Sequence, residues 1–220
     1  MLDCNKESFD FNDLNEIMTI LRAPGGCPWD IEQTHESIRR NFIEEVYEAC
    51  EAIDLQDDTL LCEELGDVLL QVVFHARIAE DRGAFSISDV CDGVCRKLIL
   101  RHPHIFGEEK DLKTADQVLD RWDEIKKAEK HQKSVSQAMD QVAKTLPALI
   151  YAEKIQKKAA KSGSDIRPEP ASSPEEEIGN KLFAVVAEAR ERGIDPEKAL
   201  SDVTKAFVKQ FSKQELADKK

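Results

Sequence analysis

The sequence predicts an all-α protein, and three observations carry that expectation. Apolar residues recur at three- and four-residue spacing along most of the 220 positions, glycine is sparse, and charged residues make up 34% of the chain. Short turn signals separate the periodic stretches, which makes consecutive helices antiparallel neighbours in a bundle. Finally, EEEIGNKLFAVVAEAR (175–190) echoes CEELGDVLLQVVFHAR (62–77), so that Glu177 falls opposite Glu64 and Asn180 opposite Asp67. The C-terminal part therefore reads as a degenerate, truncated helical repeat.

A first helix is expected over about 11–22, where Leu14, Ile17, Met18 and Leu21 share a face, and Pro24-Gly25-Gly26 ends it. The CPWD segment (27–30) reads as a turn. Asp30 with Gln33 or Thr34 then caps a second helix that runs to about 54 on an apolar stripe of Ile38, Phe42, Val46, Ala49 and Ile53. A third helix, about 59–79, contains the run VLLQVVFHARIA (68–79) and is expected to be buried nearly all round. Gly83 breaks it. Ser86 and Asp89 start a fourth, with Val90, Val94 and Leu98 on its core face, ending before His102-Pro103. Thr114 and Gln117 form a capping box for a charged helix through Trp122 and Ile125. Beyond about 136 the pattern restarts, with a helix between Pro147 and Gly163 and a Pro/Ser/Glu-rich stretch through Pro174. The division that follows is a helical domain over 1–135 and a degenerate second helical segment over 136–220, with a linker at about 162–174.

The formal net charge of −13 argues against nucleic acid as a partner, because proteins that bind a phosphate backbone carry a basic patch or stripe. A bound divalent cation still allows an acidic protein to hold an anion. The N-terminal residues lack an apolar signal core and no run of 18 apolar residues occurs, so no membrane partner and a cytoplasmic location are expected. Six scattered cysteines without close CxxC pairs read as reduced, partly buried thiols.

The chemistry points to acids. On a helix, Glu44 and Glu45 both converge with Glu48, and Glu64 converges with Asp67. Antiparallel pairing of the two helices brings these carboxylates together, where they repel unless a cation sits among them. Glu64 projects within about 40° of Val68, on a face that also carries Leu61 and Val72, an unsuitable place for a solvated charge. Carboxylate oxygens are hard ligands suited to Mg²⁺, which also binds substrate phosphates. EExxE by itself is equally what a solvated helix face looks like; the ExxD embedded in an apolar helix is what weighs against that reading.

Five ordered stretches then resemble the MazG-type nucleoside triphosphate pyrophosphohydrolases: LRAPGGCPWDIEQTHESI (21–38), EEVYE (44–48), EELGDVLLQVVFHA (63–76), KLILRHPHIF (97–106) and WDEIKKAEK (122–130). The resemblance covers roughly residues 11–161. It implies an all-α bundle, usually a homodimer, that hydrolyses nucleoside or deoxynucleoside triphosphates to monophosphate and pyrophosphate with Mg²⁺, Mn²⁺ being the substitute. Carried over by position, Glu45, Glu48, Glu64 and Asp67 are metal ligands, and Glu44 is a further ligand or a base that orients water.

Substrate contacts are expected at Lys97 and Arg101, four apart on one helix, although a surface helix end has the same look. Trp29 stacks on a base or anchors packing, and Gln33 binds substrate or caps a helix. His75, one turn from Gln71, reads as a satisfied core histidine, and His102 and His104 as structural. The chain departs from the two-domain family pattern after residue 163: no EExxE helix follows, and Asn180 replaces the second aspartate. The resemblance thus leaves one active site per chain, with 164–220 serving assembly or regulation. Alternatives are an enzyme restricted to dUTP, dCTP or phosphoribosyl-ATP, and a non-catalytic nucleotide-binding or scaffold protein.

Overall fold

The computed structural model describes residues 2–108, 114–129, 134–163 and 167–217; Lys130, which ends WDEIKKAEK, and 164–166 of the expected linker lie outside them. The described residues contain helices and no strand, as an all-α sequence requires. None of the described helices is long and apolar enough to cross a membrane. The chain divides into two compact units, Met1–Leu119 and Asp120–Lys220.

In the first unit, α1 (Phe11–Arg22) starts at Asp10, whose carboxylate accepts from the Asn12 and Asp13 N–H groups while Asp13 accepts from the Asp10 N–H. It ends at Ala23, which is extended because a residue before proline is pushed out of the helical region. The CPWD segment is not merely a turn: it forms α2 (Pro28–Glu32), with Pro28 at the first position, where its fixed φ suits a helix and its missing N–H costs nothing. Asp30 lies inside α2, so it does not cap the next helix. Thr34 and Ser37 instead close a turn, the Thr34 N–H donating to Ser37 Oγ (2.9 Å) and the Ser37 N–H to Thr34 Oγ1 (3.3 Å). Hence α3 (Arg39–Leu55) begins later than the sequence suggests, anchored by the buried Ile38 side chain in place of a polar cap.

Gln56, in the left-handed region at φ 55°, ends α3, and Asp57 caps α4 (Asp58–Asp81) through the Thr59 and Leu60 N–H groups. The connection is so short that α3 and α4 form an antiparallel hairpin. Buried Ala49 and Ala52 on α3 let the two axes approach closely. Helix α4 is central: it packs on α1, on α3 and on α5 (Ile87–Arg101). The core joins Met18 of α1 and Ile38 to Val73, Phe74, Ala76 and Ile78 of α4 and Ile87 of α5. Each fully buried large side chain, Met18, Ile38 and Val73, contributes about 1.5–3 kcal/mol. A short α6 (Pro103–Phe106) follows α5, and the boundary between units falls within α7 (Ala115–Glu129).

Three expectations about burial are corrected. Helix α4 is not buried all round, because Leu65 and Leu69 are exposed. On α3, Val46 and Ile53 are exposed while Ala49 and Ala52 take the seam. On α5, Val90, Val94 and Leu98 are all exposed, and Ile87 alone of its apolar residues reaches the core. The common reason is that periodicity marks an apolar face without saying what covers it. The cysteines differ too: five are exposed and Cys27 is half-buried, all as free thiols.

Arg22 ties the end of α1 to the end of α4. Its Nε donates to Asp81 (2.9 Å), its guanidinium lies over the Phe74 ring at 5.5 Å, and it donates to the Asp30 and Gln33 carbonyls. His75, read as a core histidine, is half-buried: its Nδ1 lies 2.8 Å from His35 Nδ1, the two rings are stacked, and Phe42 packs against it.

The second unit contains the rest of α7 with α8 (Val135–Asp140), α9 (Ala148–Lys161), α10 (Pro174–Glu191) and α11 (Pro196–Ala217). Helix α9 packs on α8, α10 and α11. Gln156 is buried there and donates to the Phe183 carbonyl (2.8 Å), beside the buried Val186. Helix α10 is the next described helix after α9, so among the described residues the unit has no added helix that carries an EExxE set as α3 does.

Two stability predictions follow from this packing. A Cβ on Gly26 would stand 2.3 Å from the Leu21 carbonyl oxygen and 2.5 Å from that of Ile20, both fixed backbone atoms. Gly26→Ala should therefore cost more than about 2 kcal/mol, against about 1–2 kcal/mol for Gly25→Ala, where φ is +85° but space is open; denaturant titration measures both. Burial, and then His35, hold His75 below its ordinary value near 6.5. The unfolded chain thus binds this proton first, so the associated stability is complete above pH 6.5 and is lost as pH falls below it. Unfolding free energy measured from pH 7.5 to 5 should fall less steeply in His75→Gln than in the parent.

Candidate active site

The α3–α4 hairpin brings together the acids that the sequence singles out. Antiparallel register sets Glu45 and Glu48, about two to three turns before the end of α3, against Glu64 and Asp67, in the second and third turns of α4. One carboxylate oxygen from each of Glu45, Glu48 and Glu64 lies within 4.8 Å of the others. Glu45 and Glu64 are half-buried and Glu48 is exposed, so the cluster opens to solvent on one side.

Electrostatics follow from this crowding. Burial pushes the Glu45 carboxyl above the usual range, and the charges of Asp67, Glu48 and Glu64 push it further. Burial also raises Glu64, reinforced by Glu48, Glu63 and Asp67. Asp67 thus lies within electrostatic reach of both, although the close triad of oxygens is Glu45, Glu48 and Glu64. Each shift marks a charged form that lacks a counter-cation. All donors are carboxylate oxygens, with no histidine or cysteine among them. That set suits a hard ion of the Mg²⁺ or Mn²⁺ kind, which takes oxygen ligands, over zinc, which favours nitrogen and sulfur.

Other expected residues are placed differently. Glu44 faces away, accepting from Arg40 Nε at 2.8 Å on the exposed side of α3. Lys97 is exposed on α5, whereas Arg101, one turn later, is buried at 8% exposure. Trp29 stays 58% exposed, with its ring edge-on to Phe74 at 6.3 Å. Gln33 works within its own loop: Nε2 donates to the Trp29 carbonyl (2.8 Å) and Oε1 accepts from Ser37 Oγ (2.7 Å). His102 Nδ1 contacts the Leu98 carbonyl at 2.6 Å, as a structural residue should.

Sequence reasoning passed over Glu63, which adds charge beside Glu64, and Arg22, which fixes the loop carrying Trp29 and Gln33. Glu63 was signalled by its place in EELGD. Arg22 carried only the weak signal of a cation in the last turn of a helix.

In the second unit the echo of ExxD is differently engaged. Glu177 pairs with Lys181 Nζ (2.6 Å), and Asn180 Nδ2 donates to the Glu169 carbonyl (2.9 Å).

Residues 33–106, which hold the whole acidic set, match the family model described as the MazG nucleotide pyrophosphohydrolase domain. The chain is 44% identical over 223 residues to a protein of Thermotoga maritima named nucleoside triphosphate pyrophosphohydrolase/pyrophosphatase MazG, covering 93% of this chain and 85% of that one. It is 37% identical over 231 residues to the nucleoside triphosphate pyrophosphohydrolase of Escherichia coli, covering 93% and 88%. An uncharacterized Bacillus subtilis protein, YabN, is 45% identical over 227 residues, with 92% of this chain matching 46% of that one. The similarity spans both units and the acidic hairpin alike, and the chain belongs to the MazG family of nucleotide pyrophosphohydrolases.

Proposed function

We propose that this protein hydrolyses nucleoside or deoxynucleoside triphosphates to monophosphate and pyrophosphate, using Mg²⁺ held by Glu45, Glu48, Glu64 and Asp67, with Mn²⁺ as a substitute. The observation that carries the reading is the meeting of Glu45, Glu48 and Glu64 oxygens within 4.8 Å on one antiparallel helix pair. The names of its relatives support the reaction class. A divalent cation held by these carboxylates would offset the charge of the substrate phosphates and make a neutral-pH nucleophile of water available.

The chain's own residues supply the rest. The α3–α4 seam fixes the carboxylates before substrate arrives, so that little reorganisation is needed. A water oxygen bonds to one phosphorus of the α–β anhydride, the bridging P–O bond breaks, and the water proton passes to a nearby carboxylate. Glu44, which accepts from Arg40 in this structure, would leave that pair to act as a further ligand or to orient that water. Trp29 sits over Phe74, about 10 Å along α4 from Asp67, a position for meeting the base and not the phosphates. Lys97 and Arg101 are proposed phosphate contacts and Gln33 a support for the Trp29 loop. In this reading residues 1–135 hold the single active site and 136–220 are catalytically silent.

Glu48→Gln and Asp67→Asn should each lower turnover on the order of 10²-fold or more, since even outer-shell partners of metals are worth about 10- to 100-fold. Glu44→Gln should cost less. A panel of NTPs, dNTPs and phosphoribosyl-ATP, with pyrophosphate release as readout, tests the reaction. Hydrolysis confined to dUTP, dCTP or phosphoribosyl-ATP would establish a restricted enzyme, and binding without release a scaffold.

Metal should also stabilise the fold. Because Glu45 and Glu64 are raised, ionising them costs the native state, so their metal-free contribution is lost as pH rises through the raised values. At pH 8, saturating Mg²⁺ at about 100 times its dissociation constant should add about 2.7 kcal/mol, read as a higher melting temperature. Glu45→Gln should remove most of that gain.

A homodimer is part of the proposal. The exposed apolar side chains of α3, α4 and α5, including Val46, Leu65, Leu69, Val90, Val94 and Leu98, form faces that one chain leaves open. Sedimentation equilibrium should return twice the chain mass, and Leu65→Lys with Leu69→Lys should return one chain mass.

A further inference from the structure

A cavity of about 710 Å³ in the second unit, among α7, α8 and α9, has no part in the hydrolysis proposed for the first. Five lysines line it: Lys126 of α7 and Lys154, Lys157, Lys158 and Lys161 of α9. Asp123 is the one carboxylate in the lining, and it pairs with Lys161. Ala138, Val142 and Leu146 provide an apolar floor.

The α9 lysines stand at i, i+3, i+4 and i+7, which places all four along one helix face. Among the described residues, Lys154, Lys157 and Lys158 make no ion pair. Like charges at this spacing repel one another. The helix dipole compensates Lys158 and Lys161, which lie in the last turn, but it does not reach back to Lys154 and Lys157. This local excess of positive charge sits in a chain whose formal net charge is −13. An anion inside the cavity removes the repulsion.

We propose that the cavity binds a nucleoside polyphosphate without metal, as an effector and not as a substrate. Lysine ammonium groups are compact point charges that suit phosphate oxygens, and a floor of small apolar side chains suits the flat face of a base. The volume falls within the range of small-molecule sites, about 300–1,000 Å³, and its concavity favours such a ligand over an extended polymer. Among the described residues the cavity offers no set of carboxylates to hold a divalent metal, since Asp123, the one carboxylate in its lining, pairs with Lys161. The inference does not depend on turnover in the first unit.

Calorimetry on the full chain in EDTA tests it, since without divalent metal the carboxylate cluster of the first unit repels a polyanion. The probes are α,β-methylene-ATP, tripolyphosphate, inorganic phosphate and a DNA duplex. One α,β-methylene-ATP per chain is expected to bind, more tightly than tripolyphosphate and more weakly as salt is raised. Lys154→Gln with Lys158→Gln should weaken it by about tenfold or more, and Lys157→Glu alone should weaken it also, with circular dichroism confirming that the helices persist. Glu48→Gln should leave it unchanged. Absence of binding in EDTA, indifference to the lysine substitutions, or loss in Glu48→Gln would each overturn the proposal. Equal affinity for tripolyphosphate would overturn the nucleoside assignment, and tighter binding of the duplex would make the surface one for nucleic acid.

Discussion

Like charge held at close quarters is the constraint around which the first unit is built. Left to themselves, Glu45, Glu48, Glu64 and Asp67 would separate or protonate, and the raised Glu45 and Glu64 show how far the fold resists the first outcome. What resists is apolar and small. Ala49 and Ala52 bring α3 close to α4, and the core around Val73, Phe74 and Ile78 anchors the other end of α4. The buried alanines follow Glu48 directly on α3, and the core side chains Val73, Phe74 and Ile78 lie about two to three turns beyond Asp67 on α4, so the acids are held from both sides of the seam. If the cluster holds a cation and polyphosphate as proposed, it is preorganised for them, because the cost of assembling its charges is met in folding.

The same helix connects the phosphate end to the far loop. Phe74 lies seven residues beyond Asp67 on α4, and it receives both the Trp29 edge and the Arg22 guanidinium. Arg22 also binds Asp81 and the Asp30 and Gln33 carbonyls, so one buried cation sets the path of the segment from α1 to α3. The PGG turn makes this possible, since Gly26 passes so close to the Leu21 and Ile20 carbonyls that a side chain there has no room. Loop residues that look like substrate contacts in the sequence are in part residues that hold the loop.

Helices were legible from the chain because their signals are local. Asp10, Asp57 and Ser86 cap them, Pro24 stops one, and the convergence of Glu45 with Glu48 follows from helical pitch alone. Meeting across helices was legible wherever a short turn forced pairing, which is why Glu64 could be set against Glu48. Features that depend on three-dimensional neighbours were not. The start of α3 moved to Arg39 because Thr34 and Ser37 bond each other, a competition that no propensity resolves. Glu44 and Glu45 are adjacent letters of one motif, yet one faces Arg40 and the other the cluster. Val90, Val94 and Leu98 had the right period for a core and lie exposed, because a period marks an apolar face and not what covers it.

The two units show how much of a site rests on one helix. The second retains an echo of α4 in α10, down to Glu177, but among the described residues no helix with an EExxE set stands between α9 and α10 to oppose it. A lone ExxD-like pair on a half-exposed face has nothing to concentrate charge against, and Glu177 settles into an ordinary i,i+4 pair with Lys181. On the proposed reading the signature residues persist while the chemistry does not, because the acidic cluster is a property of the hairpin and not of either helix. Freed from opposing α3-like acids, that unit concentrates lysines on α9, and the sign of its cavity is the reverse of the acidic cluster in the first. A phosphate ligand needs a cation to bridge it to the acids of one unit and meets its cations directly in the other.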